Sequence, residues 1–145
     1  MFDEMNNMTE LDLSNFDFSK VTTLQYMFDG CSNLEIIEFG NINTLSVTNM
    51  LGMFYECKKL KSIDLSKFDT SNVESMVNMF VNCNSLKYLD LSNFNTAKVI
   101  SINNMFFKCS SLIYLNLKSF KLNNTVQKSS AFNSIPSYAI ICIED

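Results

Sequence analysis

Two kinds of potentially reactive side chain recur along this 145-residue chain at one fixed interval. Acidic residues stand at Asp12, Glu38, Asp64 and Asp90, each 26 positions after the last, and cysteines stand at Cys31, Cys57, Cys83 and Cys109 with the same spacing. Paired carboxylates can serve as general acid and base or ligate a cation, and a thiolate can serve as nucleophile or metal ligand. The remaining composition argues against each of these uses. There is no histidine, which removes the commonest general base and both the Ser–His and Cys–His pairs. No Gly-rich phosphate loop is present. Nothing in the pattern shields one carboxylate from water, as a general acid with a raised pKa requires. Calcium takes roughly six to eight oxygens, and each rung here offers one carboxylate and a serine. The chain is therefore expected to be no enzyme, to hold no cofactor and to bind no metal.

The five cysteines are an odd number, and four of them fall in an otherwise apolar column. A disulfide scaffold shows an even count at irregular spacing, so the pattern predicts buried free thiols acting as small hydrophobes. A net charge of −4 argues against a nucleic-acid partner, whose binding needs clustered Lys and Arg; the small basic cluster of Lys58, Lys59, Lys61 and Lys87 reads as a solvated patch. No stretch approaches the ~20 apolar residues that cross a bilayer, so no membrane insertion is expected. No basic and apolar leader opens the chain, so no signal peptide is expected in it.

The interval itself is the strongest signal. Met-Phe stands at 1–2, 27–28, 53–54, 79–80 and 105–106, with Cys three residues after the last four of these Phe and Leu three further on. An apolar-x-apolar triplet follows, as in Ile63-Asp64-Leu65 and Leu89-Asp90-Leu91. A single period of this size without insertion marks a solenoid in which no repeat can bury its apolar face alone. One domain, 1–145, is expected, with a partial coil at 1–8, coils starting near 9, 35, 61, 87 and 113, and a final strand at 140–143.

Within one coil, alternation puts Ile63 and Leu65 on one face of a short strand and Ser62, Asp64 and Ser66 on the other. "SKFDTSN" reads as a turn. Ser71 and Glu74 read as a capping box, and Val73, Met76, Phe80 and Cys83 lie at steps of 3, 4 and 3, which predicts a short α or 3-10 segment. Strand, turn, helix and turn, wound right-handed, give an α/β horseshoe with a parallel sheet on the concave side and helical segments on the convex side.

The string running from Met79-Phe80 through "NCNSLKYLDLSNFNTAKV" is similar to the repeat of the BspA-like leucine-rich-repeat family, known also as a domain of unknown function in mycoplasma-type lipoproteins. The resemblance spans essentially the whole chain. It implies a leucine-rich-repeat fold, a secreted or cell-surface location, binding of other proteins or host surfaces, and no characteristic catalysis.

The expected function is a protein-interaction or adhesion module. Its contact face is the concave strand face, carrying Ile36, Glu38, Asp64, Tyr88, Asp90 and Tyr114. The acidic strip has two readings, a receiver for a basic surface and a solvated consensus position; the exposed tyrosines likewise read as hot-spot material or as ordinary surface. The alternative, in another class, is a building block that self-associates through its ends or docks in a larger complex.

Overall fold

A computed structural model of the chain describes residues 5 and 7–144; the Met-Phe pair at 1–2 lies outside them. Five short strands form: β1 Glu10–Asp12, β2 Ile36–Glu38, β3 Tyr88–Asp90, β4 Tyr114–Leu117 and β5 Ile140–Ile143. All pairing is parallel, in one sheet of β1-β2 and one of β3-β4-β5. The register steps by one repeat, with Leu11 opposite Ile37, Leu89 opposite Leu115 and Leu115 opposite Ile141. Ile37, Leu89 and Leu115 turn inward and are buried, while Ile36, Glu38, Tyr88 and Asp90 beside them are exposed, as the period-2 pleat requires.

No helix is present among the described residues, which corrects the expected α or 3-10 segments and the capping box at Ser71 and Glu74. Consecutive turns take their place. The N–H groups of Leu24, Tyr26, Phe28 and Gly30 donate to the carbonyls of Asn49, Leu51, Met53 and Tyr55 in the following repeat. The alternate N–H groups of Met27, Asp29 and Cys31 close local turns onto Leu24, Tyr26 and Phe28. A helix would return N–H groups to carbonyls four residues back. Here every second one leaves for the neighbouring repeat instead.

The cause lies in two backbone positions per repeat with φ near +60°, at Tyr26 and Gly30, Gly52 and Glu56, Asn78 and Asn82, and Asn104 and Lys108. A type II turn needs positive φ at its third residue, where Gly and Asn are the least costly choices. Gly52 is doubly constrained, because a Cβ there would stand 2.3 Å from the Tyr26 ring. The stripe Val73, Met76, Phe80 and Cys83 is buried as expected, but it is presented by turns.

The core runs through all repeats in rows. Phe28, Phe54, Phe80 and Phe106 stack with centroids 5.4, 5.4 and 5.9 Å apart and planes within 11°. Cys31, Cys57, Cys83 and Cys109 are buried free thiols. The sulfurs of Cys57, Cys83 and Cys109 donate to the carbonyls of Phe28, Phe54 and Phe80 in the preceding repeat, at 3.2, 3.2 and 3.1 Å. A third row is polar. The buried Thr70 hydroxyl donates to the Asn95 carbonyl and accepts from the Asn95 N–H, and Thr44 does the same with Asp69. Thr96 accepts from the Lys121 N–H.

One expected strand is missing. Residues 63–65 form no ladder, and only Ser62 bridges, to Tyr88. The interruption follows a repeat that departs from the pattern at two positions. Phe39 stands where other repeats carry Leu, and its ring meets Phe28, Phe54 and Phe68 edge-on at 6.0, 6.5 and 4.9 Å. Gly40 follows at φ +58°, and a Cβ there would stand 2.8 Å from Ser14 Cβ. Phe39 and Gly40 follow directly on β2, the strand that residues 62–64 would pair with by the register of the other repeats.

Candidate functional site

The outward side of the strands carries the expected contact residues in two groups. Ile36 and Glu38 open and close β2, beside Glu10 and Asp12 of β1. Tyr88 and Asp90 open and close β3, beside Tyr114 and Asn116 of β4, and Tyr114 in turn lies beside Ile140. Asp64 belongs to neither sheet; it lies in the unpaired stretch two residues after the Ser62 bridge. Pairing thus brings Tyr88, Asp90 and Tyr114 together, and leaves Ile36 and Glu38 in the other sheet. Tyr88 is 56% exposed and Ile36 is 45% exposed, while Tyr114 is half-buried.

The carboxylates are held by their own backbone. Oδ1 of Asp12, Asp64 and Asp90 each accepts the N–H of the serine two residues on, Ser14, Ser66 and Ser92, at 2.8 Å. This is the turn that Asp forms with local backbone, and D-x-S is its sequence form. The Ser14 hydroxyl and then its N–H hold Asp12 below the ordinary carboxylate range. The Ser66 N–H and then its hydroxyl do so for Asp64, and the Ser92 hydroxyl and then its N–H for Asp90. Hydrogen bonds to the charged form favour it. All three are therefore acceptors fixed in the ionised state, able to receive a cationic or N–H donor. None has the raised pKa that proton donation at neutral pH requires. Among the described residues no three His, Cys, Asp or Glu side chains are grouped to hold a metal ion.

Lys61 and Glu35 face each other across the unpaired stretch, Nζ to Oε2 at 2.6 Å. This exposed pair tethers the strand-bearing segments where the backbone does not. At the other end, a hydrogen bond with the Cys142 side chain and then desolvation raise the Tyr114 hydroxyl pKa. Desolvation disfavours the thiolate of the buried cysteines, pushing Cys109 up to about 12 and Cys83 far above its usual value.

Sequence reasoning missed two features that shape this face. The Asp-x-Ser turns were legible in "DLS", which recurs at 12–14, 64–66 and 90–92. Asn93 was not singled out; its amide donates to the carbonyls of Leu65, Ser66 and Phe68, and the Ser119 hydroxyl repeats the device on Leu91 and Phe94. These side chains fix the chain as it leaves the strand.

No helix among the described residues is long and apolar enough to cross a membrane. No curated protein and no solved structure matches the chain. A family model described as Mycoplasma protein of unknown function, DUF285, matches residues 1–114 and again 31–140. With parallel strands recurring at the sequence period and the match extending over nearly the full length, the chain belongs to this repeat-type family of unknown function.

Proposed function

We propose that the chain is a non-enzymatic protein-binding or adhesion module of the BspA-like leucine-rich-repeat kind, a right-handed solenoid whose concave strand face receives a protein partner. Register steps of one repeat on both the strand side and the turn side support the solenoid. One observation carries the functional reading: Tyr88 stands more than half exposed in direct register with Tyr114 and beside the ionised Asp90. Aromatic bodies flanked by fixed acceptors are the usual anchors of protein interfaces. The residues assigned to contact are Ile36, Glu38, Asp64, Tyr88, Asp90 and Tyr114. Charge and hydrogen bonding on this face favour a partner segment that presents Lys, Arg or free N–H groups. Placement on a cell surface rests on the family resemblance.

The test is a selection of binders to the immobilised protein from a displayed peptide library rich in basic and aromatic residues. Binders should lose affinity when Tyr88, Asp64 and Asp90 are replaced together by Ala, with an unchanged thermal melt. Binders that tolerate the triple replacement would sink the assignment of this face.

A further inference from the structure

On the turn side the backbone repeats but the side chains do not. The residue after each stacked phenylalanine is Asp29, Tyr55, Val81 and Phe107 in turn. Val81 therefore has an aromatic residue one repeat before it and another one repeat after. The phenylalanines that precede these last three residues step by 5.4 and 5.9 Å. Val81 is buried, whereas Tyr55 and Phe107 stand half-buried on either side of it. At this gap a hollow of 300 Å³ opens in the middle repeats, lined by all three.

The rest of its lining is polar, supplied by Asn78, Asn82, Asn104 and Lys108. All four sit at positive φ. That backbone accounts for a small residue at the turn, but Gly52 serves as well in the column of Asn78 and Asn104. The amide groups are additional to what the turn requires. The Asn104 amide nitrogen donates to Asn78 Oδ1, and that of Asn82 to Glu56 Oε1, both at 3.1 Å. These bonds fix which way each amide faces. Among the described residues, the Asn78 amide nitrogen and the amide oxygens of Asn82 and Asn104 have no protein partner. The Lys108 ammonium lies over the Phe107 ring, 5.4 Å from its centroid, while Glu56 is taken up by Lys58 at 3.1 Å.

We propose that this hollow binds one sugar ring of a glycan. A hydroxyl both donates and accepts. Neighbouring hydroxyls of one ring can thus accept from Asn78 and Lys108 and donate to Asn82 and Asn104. The face of an aromatic ring carries negative charge density, and the C–H groups of a pyranose pack against it. Tyr55 and Phe107 supply such rings. An apolar protein side chain would leave the amides unpaired. A cationic one would meet Lys108, with Glu56 already engaged. The volume lies at the low end of ligand pockets, about 300–1,000 Å³, which suits a single ring. The site is on the turn side and does not depend on the strand face as a contact surface.

Titration of methyl glycosides of glucose, galactose, mannose, N-acetylglucosamine and glucuronic acid into isotope-labelled protein tests this by amide NMR. At least one glycoside should shift the side-chain amide signals of Asn78, Asn82 and Asn104 saturably and leave that of Asn93 in place. Asn78→Gly/Asn104→Gly keeps the turn backbone, as Gly52 does, and should weaken binding by about tenfold, the worth of two net hydrogen bonds. Val81→Phe, which fills the gap, should abolish binding. Tyr55→Ser should do the same without touching a buried residue, which separates loss of the site from loss of fold. Replacement of Tyr88, Asp64 and Asp90 should leave the shifts intact, so this site and the strand face fail or stand separately. The proposal is overturned if no glycoside shifts these amides, or if the double glycine variant binds undiminished. It is also overturned if N-acetylphenylalaninamide shifts them as strongly as any sugar, which would make the hollow a pocket for a protein side chain.

Discussion

The turn side and the strand side join the same repeats but differ in continuity. On the turn side, parallel bridges run from Thr23 to Asn49, Ser75, Ser101 and Gln127 without a break, and four forward hydrogen bonds accompany each step. On the strand side, pairing stops after β2 and resumes at Ser62. The continuous ladder sits over the stacked phenylalanines, while the interrupted one carries the residues assigned to contact. The register of this protein is thus held from the turn side, and the strand face can vary in sequence without losing it.

The most damaging change should fall on the continuous side. Phe80 is fully buried and stacked between Phe54 and Phe106, so Phe80→Ala should cost ~3–5 kcal/mol in urea unfolding. Phe39→Leu, at the interruption, should cost less than ~1.5 kcal/mol, because it restores the residue that other repeats use. Equal costs would mean that both sides carry the register. Next in size is Thr70→Val, which leaves the N–H and carbonyl of Asn95 without the partner they share. A loss of ~1–3 kcal/mol is expected by the same measurement.

Acid should then weaken both sides through the aspartate turns, including Asp69, which the Ser71 hydroxyl and then its N–H hold low. A carboxylate whose folded pKa lies below its unfolded value stabilises the protein above that unfolded value. Its contribution is lost as the pH falls through the lower, folded one. Urea midpoints should therefore be flat from neutral pH down to about 5 and fall below the ordinary aspartate value of 3.8. Asn at 12, 64 and 90, which keeps the accepting oxygen, should flatten the curve. The smallest effect sharpens the comparison most. Replacing Glu38-Phe39-Gly40 by Asp-Leu-Ser should extend pairing across the gap and slow amide exchange at position 39 by about fivefold, the worth of one net hydrogen bond.

Much of the architecture was readable because independent columns share one spacing. That spacing appears in the structure as the register itself, from Leu11 opposite Ile37 to Leu115 opposite Ile141. The turns were not readable from the apolar stripe, since steps of 3 and 4 suit a helix and a series of turns equally. The discriminating residues were Gly52, Asn78, Asn82 and Asn104, which favour positive φ. Thr44, Thr70 and Thr96 also repeat at the common spacing and went unread, because a buried hydroxyl bonded to the next repeat's backbone looks like a surface threonine in sequence. On the strand face, the outward positions of Ile36, Tyr88 and Asp90 followed from alternation. The unpaired state of residues 63–65 did not, because apolar and polar residues alternate there just as in the repeats that do pair.

The thiols of Cys57, Cys83 and Cys109 reach back to carbonyls 29 residues earlier, those of Phe28, Phe54 and Phe80. Donor and acceptor lie in different copies of the motif, so a duplicated or deleted stretch of one whole repeat, or several, rejoins every such pair. A change of any other size strands a sulfur and a carbonyl at the junction. Recombination can therefore lengthen or shorten this protein freely, but only in whole units.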